Sequence, residues 1–228
     1  VFGYMLHGGG NGSQDDMRDV GQGMNIIIEK LRKEPFVVAV TRSNGLAPYL
    51  RSDVYYDGMF ADTVKADGKS VGVIVKFADK EAESVFQPKL EEGEWLTNNV
   101  LEDGSRPAVI TRQLMDKLGW SEAIGKRLYL GGRTLTIVGI SPGVKQNFSD
   151  MPTAIIIPRD EEQLSSYEEC CAKIKQGYED EFHSCFSKEY KRLGLAEKAV
   201  SLCYEMSGLK RESMFDVVSN VAMRAIPT

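Results

Sequence analysis

Ile124-Gly125-Lys126-Arg127-Leu128-Tyr129-Leu130-Gly131-Gly132-Arg133-Thr134-Leu135-Thr136-Ile137-Val138-Gly139-Ile140 holds two β-type runs, Arg127 to Leu130 and Thr134 to Ile140, around a Gly-Gly pair. Both glycines can take positive φ, so the spacing predicts a hairpin with a two-residue turn. Similar short runs surround this one: Val54 to Tyr56, Val71 to Phe77, Ala108 to Thr111 and Ala154 to Ile157. They alternate with turn signals at Ala66-Asp67-Gly68-Lys69 and Glu102-Asp103-Gly104. One short helix is predicted among them, Arg112 to Leu118, with Thr111 as its N-cap and Gly119 at C′. Residues 45–158 therefore read as a mostly-β segment.

The flanks have a different period. Ser13-Gln14-Asp15-Asp16 resembles a capping box with Asp in place of Glu, and its acids suit a helix N-terminus. Met17, Val20, Met24, Ile27 and Leu31 then share one helical face, and Pro35 stops the helix. Phe36 to Thr41 follows as a buried strand. Beyond Pro158, Cys171 to Lys175 alternates as a strand with Ala172 and Ile174 on one face. Gly177 to Leu193 is an amphipathic helix ending at Gly194, Ala199 to Tyr204 a strand, and Met214 to Ala225 a last helix. Strand, helix and strand in close succession suggest a split α/β layer that pairs with the first helix and strand. The expected class is α+β: an α/β lobe from 13–44 and 159–212, with 45–158 inserted as a β-rich lobe.

Composition narrows the function classes. The 228 residues carry 28 Lys plus Arg against 33 Asp plus Glu, a net charge of −5. No basic excess is available for a nucleic-acid backbone or an anionic bilayer. Apolar residues at 42% and charged residues at 27% suit a globular chain and exclude a disordered tail. No apolar run approaches the roughly 18–20 residues of a membrane span. The chain opens on the apolar stub Val1-Phe2-Gly3-Tyr4-Met5-Leu6 and the spacer Gly8-Gly9-Gly10-Asn11-Gly12, without the parts of a signal peptide. The stub reads either as the edge of a piece cut from a longer polypeptide or as a loose N-terminus.

Catalytic patterns are missing. Gly119 to Arg127 has five residues between its glycines where a phosphate loop has four, and Arg127 stands where a hydroxyl must reach Mg²⁺. The Gly8 to Gly12 run follows no strand, so it is no dinucleotide fingerprint. His7 and His183 are the only histidines, too few for a Ser-His-Asp triad and outside any metal spacing. Cys170, Cys171, Cys185 and Cys203 show no C-x-x-C; buried thiols or one structural disulfide both fit. Asp160-Glu161-Glu162 and Glu168-Glu169 lack the alternating oxygens of a Ca²⁺ loop and read as solvated surface. Trp95 and Trp120 read as packing residues. No catalytic, cofactor-binding or metal-ligating residue is assigned, and no cofactor is expected.

One succession of residues resembles a family. It runs from Val73-Ile74-Val75 to Leu90-Glu91-Glu92-Gly93-Glu94-Trp95-Leu96, through Ala108-Val109-Ile110-Thr111-Arg112-Gln113-Leu114 and Leu118-Gly119. It then takes Ala123-Ile124-Gly125-Lys126-Arg127-Leu128 and closes on Leu130 to Ile140. This order is similar to the MacB-like periplasmic core domain of ABC-transporter permeases, the group that also holds FtsX-like and lipoprotein-releasing subunits. The resemblance is clearest over residues 71–158, and Glu94 stands where the family carries Arg.

The resemblance implies a porter-like α/β lobe built from both ends of the segment, with a β-rich lobe inserted between. It makes 1–12 and 213–228 membrane-proximal ends beside the first and second membrane helices of a permease. It gives Gly125 and Gly139 architectural roles, as a turn into a strand and a point of close backbone approach, and makes Ile137, Val138 and Ile140 core. It implies a non-catalytic domain facing the periplasm from the bacterial inner membrane. Implied partners are an ABC ATPase subunit, a second permease subunit and a periplasmic adaptor or outer-membrane protein; nucleic acid is not among them. The expected function is that of a permease subunit of the macrolide-exporter or lipoprotein-release type. The alternatives are an FtsX-like regulator of a cell-wall hydrolase, a ligand-binding sensor domain, or a secreted enzyme.

Overall fold

The computed structural model describes residues 1–8, 14–43, 46, 61–97, 100–143, 153–158 and 167–205. The chain divides into two compact units. The first comprises Val1–Asn44, Phe77–Gln87 and Arg159–Glu205, and the second holds Gly45–Lys76 and Pro88–Pro158.

The first unit is a four-stranded sheet under two helices. In chain order it holds β1 (Phe2–Gly8), α1 (Gln14–Leu31), β2 (Val37–Ser43), β10 (Tyr167–Ile174), α4 (Glu179–Arg192), a 3₁₀ turn (Leu195–Glu197) and β11 (Ala199–Glu205). The strand order is β11-β1-β10-β2, and every neighbour pair is antiparallel. Each helix thus joins two strands that run the same way with an antiparallel strand between them, a pair of split βαβ units. Predicted strand 36–41 finds its partner in β10, with Val40 opposite Ala172 and Thr41 opposite Cys171.

The periodicity of α1 explains the core. Val20, Met24, Ile27, Ile28 and Leu31 are buried on one face, while Asp15 and Asp16 sit in the first turn and Lys30 in the last. From α4, Phe182 and Phe186 enter the same cluster, joined by Phe36, Val40, Cys170 and Ala172 from the sheet. Each buried Val, Met, Ile, Leu and Phe of this cluster contributes roughly 1.5–3 kcal/mol by leaving water. Gly194 ends α4 with φ 67°, the left-handed conformation expected of a C′ glycine.

The second unit is a small barrel. Its strands are β3 (Ala61–Ala66), β4 (Lys69–Ala78, whose last two residues belong to the first unit), β5 (Glu92–Gly93), β6 (Arg106–Thr111), β7 (Arg127–Leu130), β8 (Arg133–Ser141) and β9 (Ala154–Pro158). The order β8-β6-β9-β4-β3-β7 returns to β8, because β7 pairs with both β3 and β8. Closure leaves no free edge along the ring. β8 borders β7 along its first half and the short β5 along its second. The predicted Gly131-Gly132 turn joins β7 to β8, with φ 55° and 80°. α3 (Arg112–Leu118) buries Leu114, Met115 and Leu118. It lies against β6 and β9, which is why β6 is buried on both faces.

Several expectations need correction. The apolar stub is a strand, β1, paired on both sides within the first sheet and not a loose end, so a strand does precede the Gly8 to Gly12 run. Residues 77–87, which texture kept in the inserted segment, belong to the first unit. They carry α2 (Ala82–Phe86), which lies against β2 and β10. Thr111 precedes α3, yet its side chain does not cap it; Oγ1 instead donates to Ala154 O at 3.2 Å and accepts Ala154 N–H at 3.0 Å. Val138 is only half-buried, because strand alternation turns it away from Ile137 and Gly139. Glu169 is 1% exposed and not solvated. Strand Val54 to Tyr56, helix Met214 to Ala225, Ser13 and the 160–162 acids lie outside the described residues.

Candidate functional site

In the first unit the two faces of the sheet differ in chemistry. Val40, Cys170 and Ala172 face the helices, whereas Thr41, Ser43, Glu169 and Cys171 alternate to the opposite face and are also buried. Ser43 Oγ donates to Glu169 Oε2 at 3.1 Å. Asp79, between β4 and α2, accepts three hydrogen bonds on this side. They come from the Thr41 hydroxyl, from Arg42 N–H at 3.0 Å and from Ala82 N–H at 3.0 Å. The Arg32 guanidinium stands 3.9 Å from both Asp79 and Glu81.

Burial pushes the Asp79 carboxyl above the ordinary aspartate value; the bonds from Thr41 and Arg42 oppose that, and Glu81 adds to it. The folded chain therefore holds the proton more tightly than the unfolded chain. Asp79's favourable contribution is complete below the ordinary value and is lost as pH rises through the raised one. Around it stand Arg32 of α1, Arg42 of β2, Glu169 and Cys170 of β10, and Glu81. Acidification from neutral pH is expected to stabilise the first unit through Asp79, and Asp79→Asn to remove that component. Denaturant titrations of both proteins between pH 7 and pH 4 check it; parallel pH profiles would refute it.

Polar groups of the second unit are tied into its strand ends. Trp120 Nε1 donates to Asp67 Oδ2 at 2.7 Å, and Lys69 Nζ to Leu118 O at 2.6 Å. The Lys126 ammonium sits 4.8 Å over the Trp120 ring. The loop that superficially resembles a phosphate cradle is thus tied by its own indole to the β3–β4 turn. Asp103 accepts from Ser105 N–H, Ser105 Oγ and Arg127, and these bonds hold its carboxyl below the usual range.

Sequence candidates do not converge. His183 is half-buried against the Phe2 and Phe182 rings, at 5.8 and 5.6 Å. Cys170, Cys171 and Cys185 are free thiols, and burial pushes Cys170 far up, which keeps it protonated. Cys170 and Cys203 both pair with Tyr4, from opposite sides, so two strand spacings of about 4.8 Å separate their backbones. That exceeds a disulfide's reach. Trp95 and Trp120 are packing residues, 2% and 8% exposed. Among the described residues no three His, Cys, Asp or Glu side chains gather as metal ligands.

One open groove of about 560 Å³ runs between α1 and α4, lined by Lys30, Glu34, Phe36, Asp180, Cys185 and Glu189. Two of its acids are already paired, Glu34 with Lys30 at 3.2 Å and Glu189 with Arg192 at 2.7 Å. Sequence reasoning missed Asp79. Its signal was an Asp three residues ahead of Ala82, the first residue of a helix whose Ala82 and Val85 are buried.

The architectural glycines are where the backbone is tightest. Gly125 has φ 79° and donates its N–H to Ile137 O at 2.8 Å. A Cβ on Gly139 would lie 2.4 Å from Glu94 O, the close approach expected there. Gly93, opposite Gly139 in the β5–β8 ladder, completes the same corner.

Residues 6–180 match the model of a family described as the MacB-like periplasmic core domain. The fold is similar to that of the periplasmic region of MacB from Actinobacillus actinomycetemcomitans. That likeness has TM-score 0.59 and 13% identity, over 92% of this chain and 91% of that one. It is also similar to the extracellular domain of YknZ, a noncanonic ABC-type transporter from Gram-positive bacteria. There the TM-score is 0.58 and the identity 12%, over 90% and 100% of the two chains. No curated protein matches the sequence.

Proposed function

Since the chain belongs to the family of MacB-like periplasmic core domains of ABC-transporter permeases, we propose that it serves a permease of the macrolide-exporter or lipoprotein-release type. In this reading it transmits conformational change driven by a cytoplasmic ATPase to the far side of the bacterial inner membrane, or docks a partner there. The family match, which spans residues of both units, carries the proposal. The internal chemistry is consistent with it. Buried carboxylates and hydroxyls are spent on holding strands together, and among the described residues no helix is long and apolar enough to cross a membrane.

The domain is a mechanical part in this reading, and ATP is hydrolysed by a separate subunit. The test is amide exchange of this domain within the full-length permease and its ATPase in nanodiscs, nucleotide-free and trapped with ATP and vanadate. Exchange in the domain is expected to change on trapping; rates indifferent to the ATPase state would defeat the coupling reading. A second expectation follows from the 119–127 loop, which has the wrong glycine spacing for a phosphate cradle and Arg127 where a hydroxyl is needed. The isolated chain should show no heat of ATP binding by calorimetry, and a micromolar affinity would overturn the non-catalytic assignment.

A further inference from the structure

We propose that Phe77–Gln87 is a strap that opens and closes on the sheet of the first unit as a unit of its own, with the Asp79 carboxylate as its latch. The inference stands on the architecture alone and does not depend on the permease reading. Chain topology is the first support. The segment is only eleven residues long, enters directly from β4 and leaves at Pro88, while the chain on either side belongs to the other unit.

The second support is the chemistry of what it covers. The helix face of the sheet is held by Met24, Ile27, Leu31, Phe182 and Phe186, a continuous apolar cluster. The opposite face of the sheet presents Thr41, Ser43 and Glu169 beside Cys171, so the sheet itself returns little apolar area to water when the strap leaves. From its own side the strap sets down Phe77, Ala78, Ala82 and Val85, while Glu83 and Ser84 stay exposed. A five-residue helix also has no stability of its own.

The third support is the latch. Asp79 gathers donors from β2 and from the first turn of α2 into one carboxylate. Removing it strips three polar bonds at once, two of them to β2. Local opening of this kind occurs where few apolar contacts oppose it. Gln87, at the far end, has φ 49°, a conformation that costs a non-glycine residue energy and is relieved on opening.

Two readouts on the 228-residue chain test the proposal. In native-state amide exchange, wild-type amides of 82–87 are expected to exchange at least about 10-fold faster than those of 24–31 in α1. Asp79→Ala should accelerate the strap amides a further ~10–100-fold, and Thr41→Val, the milder variant, about 3–10-fold, with α1 and the barrel strands unchanged. In parallel, N-ethylmaleimide should label buried Cys171, on the sheet face that carries Thr41, faster in both variants, while Cys185 of α4 keeps its wild-type rate. The proposal is overturned if strap and α1 amides exchange at one common rate in the wild type. It is also overturned if either variant accelerates the whole first unit together, or if Cys171 labels no faster in the variants than in the wild type. Should Asp79→Ala fail to fold, the wild-type rates and Thr41→Val decide the matter.

Discussion

Gly93→Ala is expected to lower the stability of the barrel by about 2–5 kcal/mol while leaving the first unit intact. The new methyl would meet Val138 O at 2.1 Å and Ile124 Cδ1 at 2.8 Å, on a residue whose φ is +75°. The obstructing atom is a backbone carbonyl that also accepts Glu94 N–H at 2.9 Å, so it cannot rotate away as a side chain can. Gly104→Ala is the control. Its φ of +78° is similar, but nothing lies within 4 Å of the added carbon, so it should cost only the roughly 1–2 kcal/mol of the left-handed conformation. Both tryptophans, Trp95 and Trp120, are in the barrel unit, so urea unfolding followed by their fluorescence reads that unit selectively. A Gly93→Ala midpoint equal to that of Gly104→Ala would show that the β5–β8 corner is not as tight as described.

The complementary change is Phe182→Ala. Its ring is fully buried in the cluster of α1, α4 and the sheet, and packs against Phe2 with centroids 6.2 Å apart. Truncation removes the transfer energy of the ring and leaves a cavity, together costing about 3–5 kcal/mol. The loss should appear in amide exchange of α1 and α4, with the tryptophan transition unmoved. A matching shift in tryptophan fluorescence would mean that the two units unfold as one.

Family membership was legible before the fold was known, because some of the glycines between Gly93 and Ile140 sit where a side chain would clash and others hold a positive φ. A Cβ at Gly93 or Gly139 collides with a carbonyl, so residue identity there reports geometry directly. Helices α1 and α4 were legible for a similar reason: their apolar spacing is set by 3.6 residues per turn, a local property. The Gly131-Gly132 turn needed only the φ freedom of its own two residues.

Other features had no local signature. Val1 to Leu6 has the composition of a loose or membrane-adjacent stub, and becomes a central strand only because β10 and β11 arrive from more than 150 residues away to pair with both its edges. Glu169 looks like surface in the sequence; its burial depends on Ser43, which the β2–β10 register carries alongside it. Residues 77–87 follow a barrel strand without any break in texture. Their place over the other sheet follows from Asp79 meeting Thr41 and Arg42, donors about 38 positions earlier. What the sequence determined by itself were the elements governed by short-range sterics and periodicity, and the family those elements spell. What only the tertiary structure decided were barrel closure, the strap and the partners of the buried acids, since each depends on long-range pairing whose energy no single segment contains.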